Sequence, residues 1–179
     1  MPKLLLFPLI ILFILITLKT TTHARTTPED IVNAQKESYN QRIQNYSQPS
    51  KQKLLEWDKK IELFNDQKSA DLEHNLEAQG AILDEFIRRN EIAEKKQTDG
   101  ITRNLSNPIE NARYWLTYAH EAVAFQAAKV YIFNATSEAS INQNILTTIN
   151  TMQADLNNLR SKVQKSQTII EELVNKNEL

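Results

Sequence analysis

The segment Asp71-Leu72-Glu73-His74 sets a carboxylate three residues before an imidazole, and Glu77 stands three residues beyond it. On a helix these positions share a face, so Asp71, His74 and Glu77 would line up along one side. Helical bundles hold pairs of metal ions with acid-to-histidine motifs of this spacing, but they need two facing copies. The second candidate, His120, has Thr117 three positions before it, so that copy lacks its acid. His74 therefore reads as an exposed residue on a charged face, and no metal site is expected. His120, beside Glu121 in an apolar stretch, reads as a buried, hydrogen-bonded imidazole with a structural role.

Other reactive constellations are missing from the sequence. It holds no cysteine, which excludes a thiol nucleophile, a zinc knuckle and a disulfide scaffold. There is no GxSxG, HExxH or phosphate-cradling loop, and two glycines leave little material for such loops. No catalytic residue and no cofactor are expected, so the chain does not read as an enzyme. With 21 Lys+Arg against 22 Asp+Glu it also lacks the basic excess of a nucleic-acid binder. The twin bases Lys59–Lys60, Arg88–Arg89 and Lys95–Lys96 are flanked by acids and read as solvated helix surface. The tripeptides beginning at Asn45, Asn104 and Asn134 match the N-glycosylation acceptor pattern. A chain this rich in asparagine yields a few such matches by chance.

What would position any functional side chain is helix. Pro28, Pro49 and Pro108 suit helix entrances, where a missing N–H costs nothing. Pro49 either starts a helix or kinks one. Asp99-Gly100 is a natural helix terminator, which makes residues 99–107 the one convincing loop. Apolar residues recur at helical spacing through Leu54, Trp57, Ile61 and Phe64. Past an interruption at Lys68 they resume as Leu72, Leu76, Leu83 and Phe86. A cleaner seam runs Ile149, Met152, Leu156, Leu159, Val163, Ser166, Ile170, Leu173. The expected helices cover residues 28–46, 50–98, 108–135 and 138–176, with breaks near Ser47–Pro49 and Asn134–Ser140. The expected fold class is all-α, either an elongated antiparallel helical hairpin or a coiled-coil-like bundle of three or four helices.

The apolar window from Ala112 to Ala135 is the most informative stretch, with six aromatics from Tyr114 to Phe133. Leu116, Ala119, Val123, Val130 and Phe133 make one stripe. Tyr114, Tyr118, Phe125 and Ile132 make a neighbouring one and are the candidate interaction face. A helix apolar over so wide an arc needs more than one partner. A core helix of a bundle, self-association, or a face for another protein or a lipid surface would each supply it.

At the N-terminus Lys3 precedes an apolar run from Leu4 to Leu18, followed by a polar stretch ending at Ala24. This reads as a signal peptide, residues 1–24, cleaved between Ala24 and Arg25, before a single helical domain of residues 25–179. As a retained helix, fifteen residues would rise only about 22 Å, short of the ~30 Å hydrocarbon core. The expectation is an exported, non-enzymatic helical protein, secreted or in the cell envelope. It would act by contact with itself or another protein, and meet a membrane only if the first segment stays uncleaved. The alternatives are a holdase-type chaperone or carrier that grips apolar clients, and a membrane-tethered rod.

Overall fold

A computed structural model describes residues 28–96 and 105–177 of the chain. The expected signal cleavage at Ala24–Arg25 and residues 99–104 of the expected loop lie outside them. The chain divides into compact units after Ala34, and the packing below is that of residues 35–179. Four α-helices account for most of the described residues: α1 (Pro28–Ile43), α2 (Gln48–Lys96), α3 (Ser106–Ala127) and α4 (Ile141–Asn177), with a 3-10 turn at Glu138–Ser140. There is no strand among the described residues, and the fold is an all-α helical bundle.

Three buried clusters give the direction of each helix. The first joins Leu54 and Ile61 of α2 to Ile141, Ile145 and Met152 of α4. The second joins Leu76, Ala119, Val123, Leu159 and Val163. The third joins Leu83 and Phe86 to Ala112, Ile170 and Leu173. Numbers rise along α2 and α4 from the first cluster to the third and fall along α3. So α2 and α4 run parallel, with α3 antiparallel to both. Tyr39, near the end of α1, packs in the first cluster, with its ring 6.3 Å from that of Phe133. The chain therefore turns back at residues 44–47, and of the packings the sequence leaves open the multi-helix bundle is realised.

The seam of α4 is as the spacing implies. Met152, Leu156, Leu159, Val163, Ser166, Ile170 and Leu173 are all buried, and Ile149 is half-buried. In α2 the seam departs from the expected series at its centre. Asn65 and Ser69 are buried, whereas Phe64 is exposed and Lys68 sits at the edge. Two polar residues thus take the inward positions that the apolar count gave to Phe64.

Residues 108–135 were expected to form one helix, and this needs correction. The helix starts two residues early, at Ser106, and ends at Ala127. The early start is free of penalty because Pro108 still falls among the first donors, which have no intrahelical partner. Beyond the helical cap at Ala128 the chain leaves the helix, and burial alternates as in an extended strand: Tyr131, Phe133 and Ala135 point inward, while Ile132 is half-buried and Asn134 exposed. Val130, Tyr131, Ile132 and Phe133 are β-branched or aromatic, the types that lose most side-chain freedom in a helix. Length supplies the second reason. The 22 residues of α3 rise about 33 Å. The return limb, α4, has 37 residues and rises about 56 Å. An extended segment rises about 3.3 Å per residue, so residues 129–135 add roughly 23 Å and close the gap.

The reversal at residues 136–140 also caps another helix. Ser47 precedes the first turn of α2, and its N–H donates to Glu138 Oε1 at 2.6 Å. The hydroxyls of Ser47 and Ser50 both donate to Glu138 Oε2 at 2.8 Å. A carboxylate at a helix N-terminus meets unpaired N–H groups and the positive end of the helix dipole. These hydrogen bonds, led by that of the Ser47 backbone, hold the Glu138 carboxyl below the usual range. Pro49 then lies inside the first turn of α2, and α1 stops at Ile43 rather than residue 46 because Asn45 and Tyr46 bond back three residues.

Candidate functional site

The motif around His74 disperses on folding. Asp71 accepts from Lys68 at 2.9 Å, and His74 lies 3.5 Å from Glu77 with both side chains in solvent. Glu73 turns instead to the next helix, where its Oε1 is 2.8 Å from His120 Nδ1. His120 is thus half-buried and hydrogen-bonded across α2 and α3, less enclosed than its apolar neighbourhood suggested. Arg88 and Arg89 both bind Glu85, at 2.7 and 2.8 Å. The Arg88 hydrogen bond, then that of Arg89, lowers the Glu85 carboxyl to about 2. Those bases belong to their own helix surface.

Where α3 ends, a polar network fills the space between α2 and α4. Asn65 Nδ2 donates to the Gln126 carbonyl at 2.9 Å, and Gln126 Nε2 donates back to Asn65 Oδ1 at 2.7 Å. The Gln126 amide also reaches the Tyr131 hydroxyl, which donates to Asp155 Oδ2 at 2.8 Å, and Lys129 pairs with the same oxygen. The last carbonyls of a helix lack intrahelical partners, and a buried one left bare costs about 1–3 kcal/mol. The Gln126 carbonyl accepts from the Lys129 N–H at 3.0 Å as well as from Asn65, and it is the buried Gln126 side-chain amide that draws a polar residue to the seam position at 65. Burial pushes the Tyr131 hydroxyl up to about 12, so it stays a donor. Burial also works to raise Asp155, but the bonds from Lys129 and Tyr131 outweigh it and leave that carboxyl lowered. The whole network has internal partners, and its chemistry is that of a helix end sealed against a core.

A cavity of about 320 Å³ lies beside it, lined by Lys36, Tyr39, Asp58, Asn65 and Tyr131 among others. Burial, with Asp58 second, raises the Tyr39 hydroxyl to about 12. Asp58 is itself raised by burial and then by Glu62, with Lys36 opposing. A more open groove of about 460 Å³ runs between α2 and α4, lined by the apolar Phe64, Leu72 and Leu156 and by the charged Lys68, Asp71 and Arg160.

The stripe singled out from sequence lands mostly in solvent. Tyr114 is 62% exposed, Tyr118 38% and Phe125 74%. Their spacing of four and seven residues puts them on one side of α3, away from Ala112, Ala119 and Val123, which face the core. Ile132 does not join them. It lies beyond the end of α3, half-buried against the first cluster. A residue sequence reasoning left out completes the patch: Trp115 meets Tyr114 and Tyr118 edge-on, each at 5.7 Å, while the two tyrosine rings stack at 6.3 Å. From α4, Lys162 Nζ stands 4.9 Å from the Tyr118 ring centre and Lys165 Nζ 5.9 Å from that of Trp115. Both are within cation–π range, and these contacts fix the rings as a platform rather than as loose side chains.

Glu121 falls between Tyr118 and Phe125 on the same side and is exposed. The surface is thus aromatic and mixed in charge, a composition typical of protein contact surfaces, where Tyr and Trp contribute most. No helix among the described residues is long and apolar enough to cross a membrane. Compared with protein-family models, with curated proteins and with solved structures, the chain matches none.

Proposed function

We propose that this chain is an exported, non-enzymatic helical protein that works by protein–protein contact, in the cell envelope or outside the cell, with α3 as its contact face. One observation carries the reading. Tyr114, Tyr118 and Phe125 face solvent although three helices already fill the core, and Trp115 with two lysines holds two of those rings in place. Large aromatics left in water in one patch mark a surface awaiting a partner. The partner is a second copy or another protein, and export rests on the apolar run from Leu4 to Leu18. Hydroxyl-radical footprinting tests it, with the purified chain compared against the chain in its own compartment. The reading expects oxidation at Tyr114, Tyr118 and Phe125 to fall in the native setting. Unchanged oxidation at all three would reject the face.

The groove between α2 and α4 supports a second reading, a holdase or carrier that grips apolar clients along Phe64, Leu72 and Leu156. Binding of an apolar dye to the native protein separates the two. Loss of signal in Phe64→Ser favours the groove, and loss in Tyr118→Ser with Phe125→Ser favours α3. A tethered rod is the third reading, and an intact mass beginning at Arg25 removes it.

A further inference from the structure

Sixteen asparagines fall among the described residues, and fourteen of them lie within helices. The two outside helices are Asn45 and Asn134, which are also the two described asparagines that open an acceptor tripeptide. The number of such tripeptides carries no weight in so asparagine-rich a chain, but their placement does. Both asparagines are exposed. In each tripeptide the middle residue turns inward while the asparagine turns out: Ala135 is buried, Tyr46 is half-buried, and the Tyr46 hydroxyl donates to the Ala135 carbonyl at 2.9 Å. The two connections, the turn before α2 and the extended segment before α4, therefore sit side by side.

We infer that Asn45 and Asn134 are acceptors of N-linked oligosaccharide, forming a paired modification site at the end of the bundle away from the third core cluster. The inference rests on the proposed export, since the reaction takes place in a secretory lumen. The asparagine amide nitrogen bonds to the anomeric carbon of a polyprenyl-diphosphate-linked oligosaccharide. The bond from that carbon to the diphosphate oxygen breaks, polyprenyl diphosphate leaves, and one amide proton passes to solvent. Glycans here would project into water without displacing any packed side chain. They would also shield the joined connections and leave the aromatic side of α3 uncovered.

The test expresses the full chain in cells with a eukaryotic secretory pathway, alongside the same full chain preceded by the leader of an unrelated secreted protein. Enzymatic glycan release that converts each occupied asparagine to aspartate is then read by peptide mass. The expected result is conversion at both 45 and 134, with Asn45→Gln and Asn134→Gln each removing one glycan from the intact mass. Lumen-delivered protein with both asparagines unconverted overturns the inference. Should only the leader-fused chain reach the lumen, its peptides still decide the glycan question, and it is the export reading that fails.

Discussion

Phe125 and Phe133 stand eight residues apart in the same apolar window, and the structure gives them opposite fates. Phe133 is 0% exposed, packed beside Tyr39 within the first core cluster, and Phe125 is 74% exposed. Truncating a buried phenylalanine to alanine removes its transfer free energy and leaves a cavity, which together cost about 3–5 kcal/mol. Truncating an exposed one, away from caps and networks, changes stability by less than about 0.5 kcal/mol. For a domain of this size each kcal/mol moves the melting temperature by roughly 2–4 °C. Phe133→Ala should therefore lower the Tm by on the order of 10 °C, and Phe125→Ala should leave it near the parent value. Thermal unfolding followed by circular dichroism, at a protein concentration low enough to suppress association, gives both numbers directly. Equal losses at the two sites would contradict the opposite burial of the two rings and with it the placement of Phe133 in the core.

Three further outcomes follow from named contacts. Glu138 titrates lower in the folded chain than in the unfolded one, so its stabilisation is complete above the usual carboxylate range and drains away as the pH falls; Glu138→Gln should flatten the acid limb of a stability–pH curve and leave its neutral plateau lower. Asn65→Ala removes one acceptor of the buried Gln126 amide, which keeps the Tyr131 hydroxyl, and one of two donors to its carbonyl, which keeps the Lys129 N–H; it should cost about 1–3 kcal/mol, and a double-mutant cycle with Gln126→Ala should show strong coupling, whereas additive losses would break the pairing. Gly80 lies inside α2, where an added Cβ would meet only the Leu116 side chain at an ordinary 3.7 Å, so Gly80→Ala should stabilise by about 0.5–1 kcal/mol in chemical denaturation.

How far the sequence reveals this architecture depends on which forces decide each segment. The α4 seam is legible because its inward positions are apolar except Ser166, and local spacing and tertiary packing agree there. At the centre of α2 they disagree. Phe64 fits the apolar count, yet the position that faces inward meets the buried side-chain amide and the carbonyl of Gln126, and Asn65 can bond to both. That need arises some sixty residues away, where α3 stops. Residues 128–135 mislead for a related reason. Alanines before them favour helix, the run from Val130 to Phe133 favours extension, and the length of the return limb settles the contest. Glu138 as the cap of α2 is invisible from local pattern, since cap and helix are 91 residues apart. Of the candidate face, Tyr114, Tyr118 and Phe125 were legible by helical phase, and Ile132 failed because the phase ends at Ala127.

Site-specific photo-crosslinking tests the central claim most directly. A photoreactive phenylalanine analogue is placed in turn at 118, at 125 and at 74, where His74 is more open to solvent than either but lies on the charged face of α2. Illumination in the compartment where the chain accumulates should give discrete protein adducts from 118 and 125 and none from 74. Adducts of equal yield from all three positions, or none from 118 and 125, would contradict a contact surface on α3.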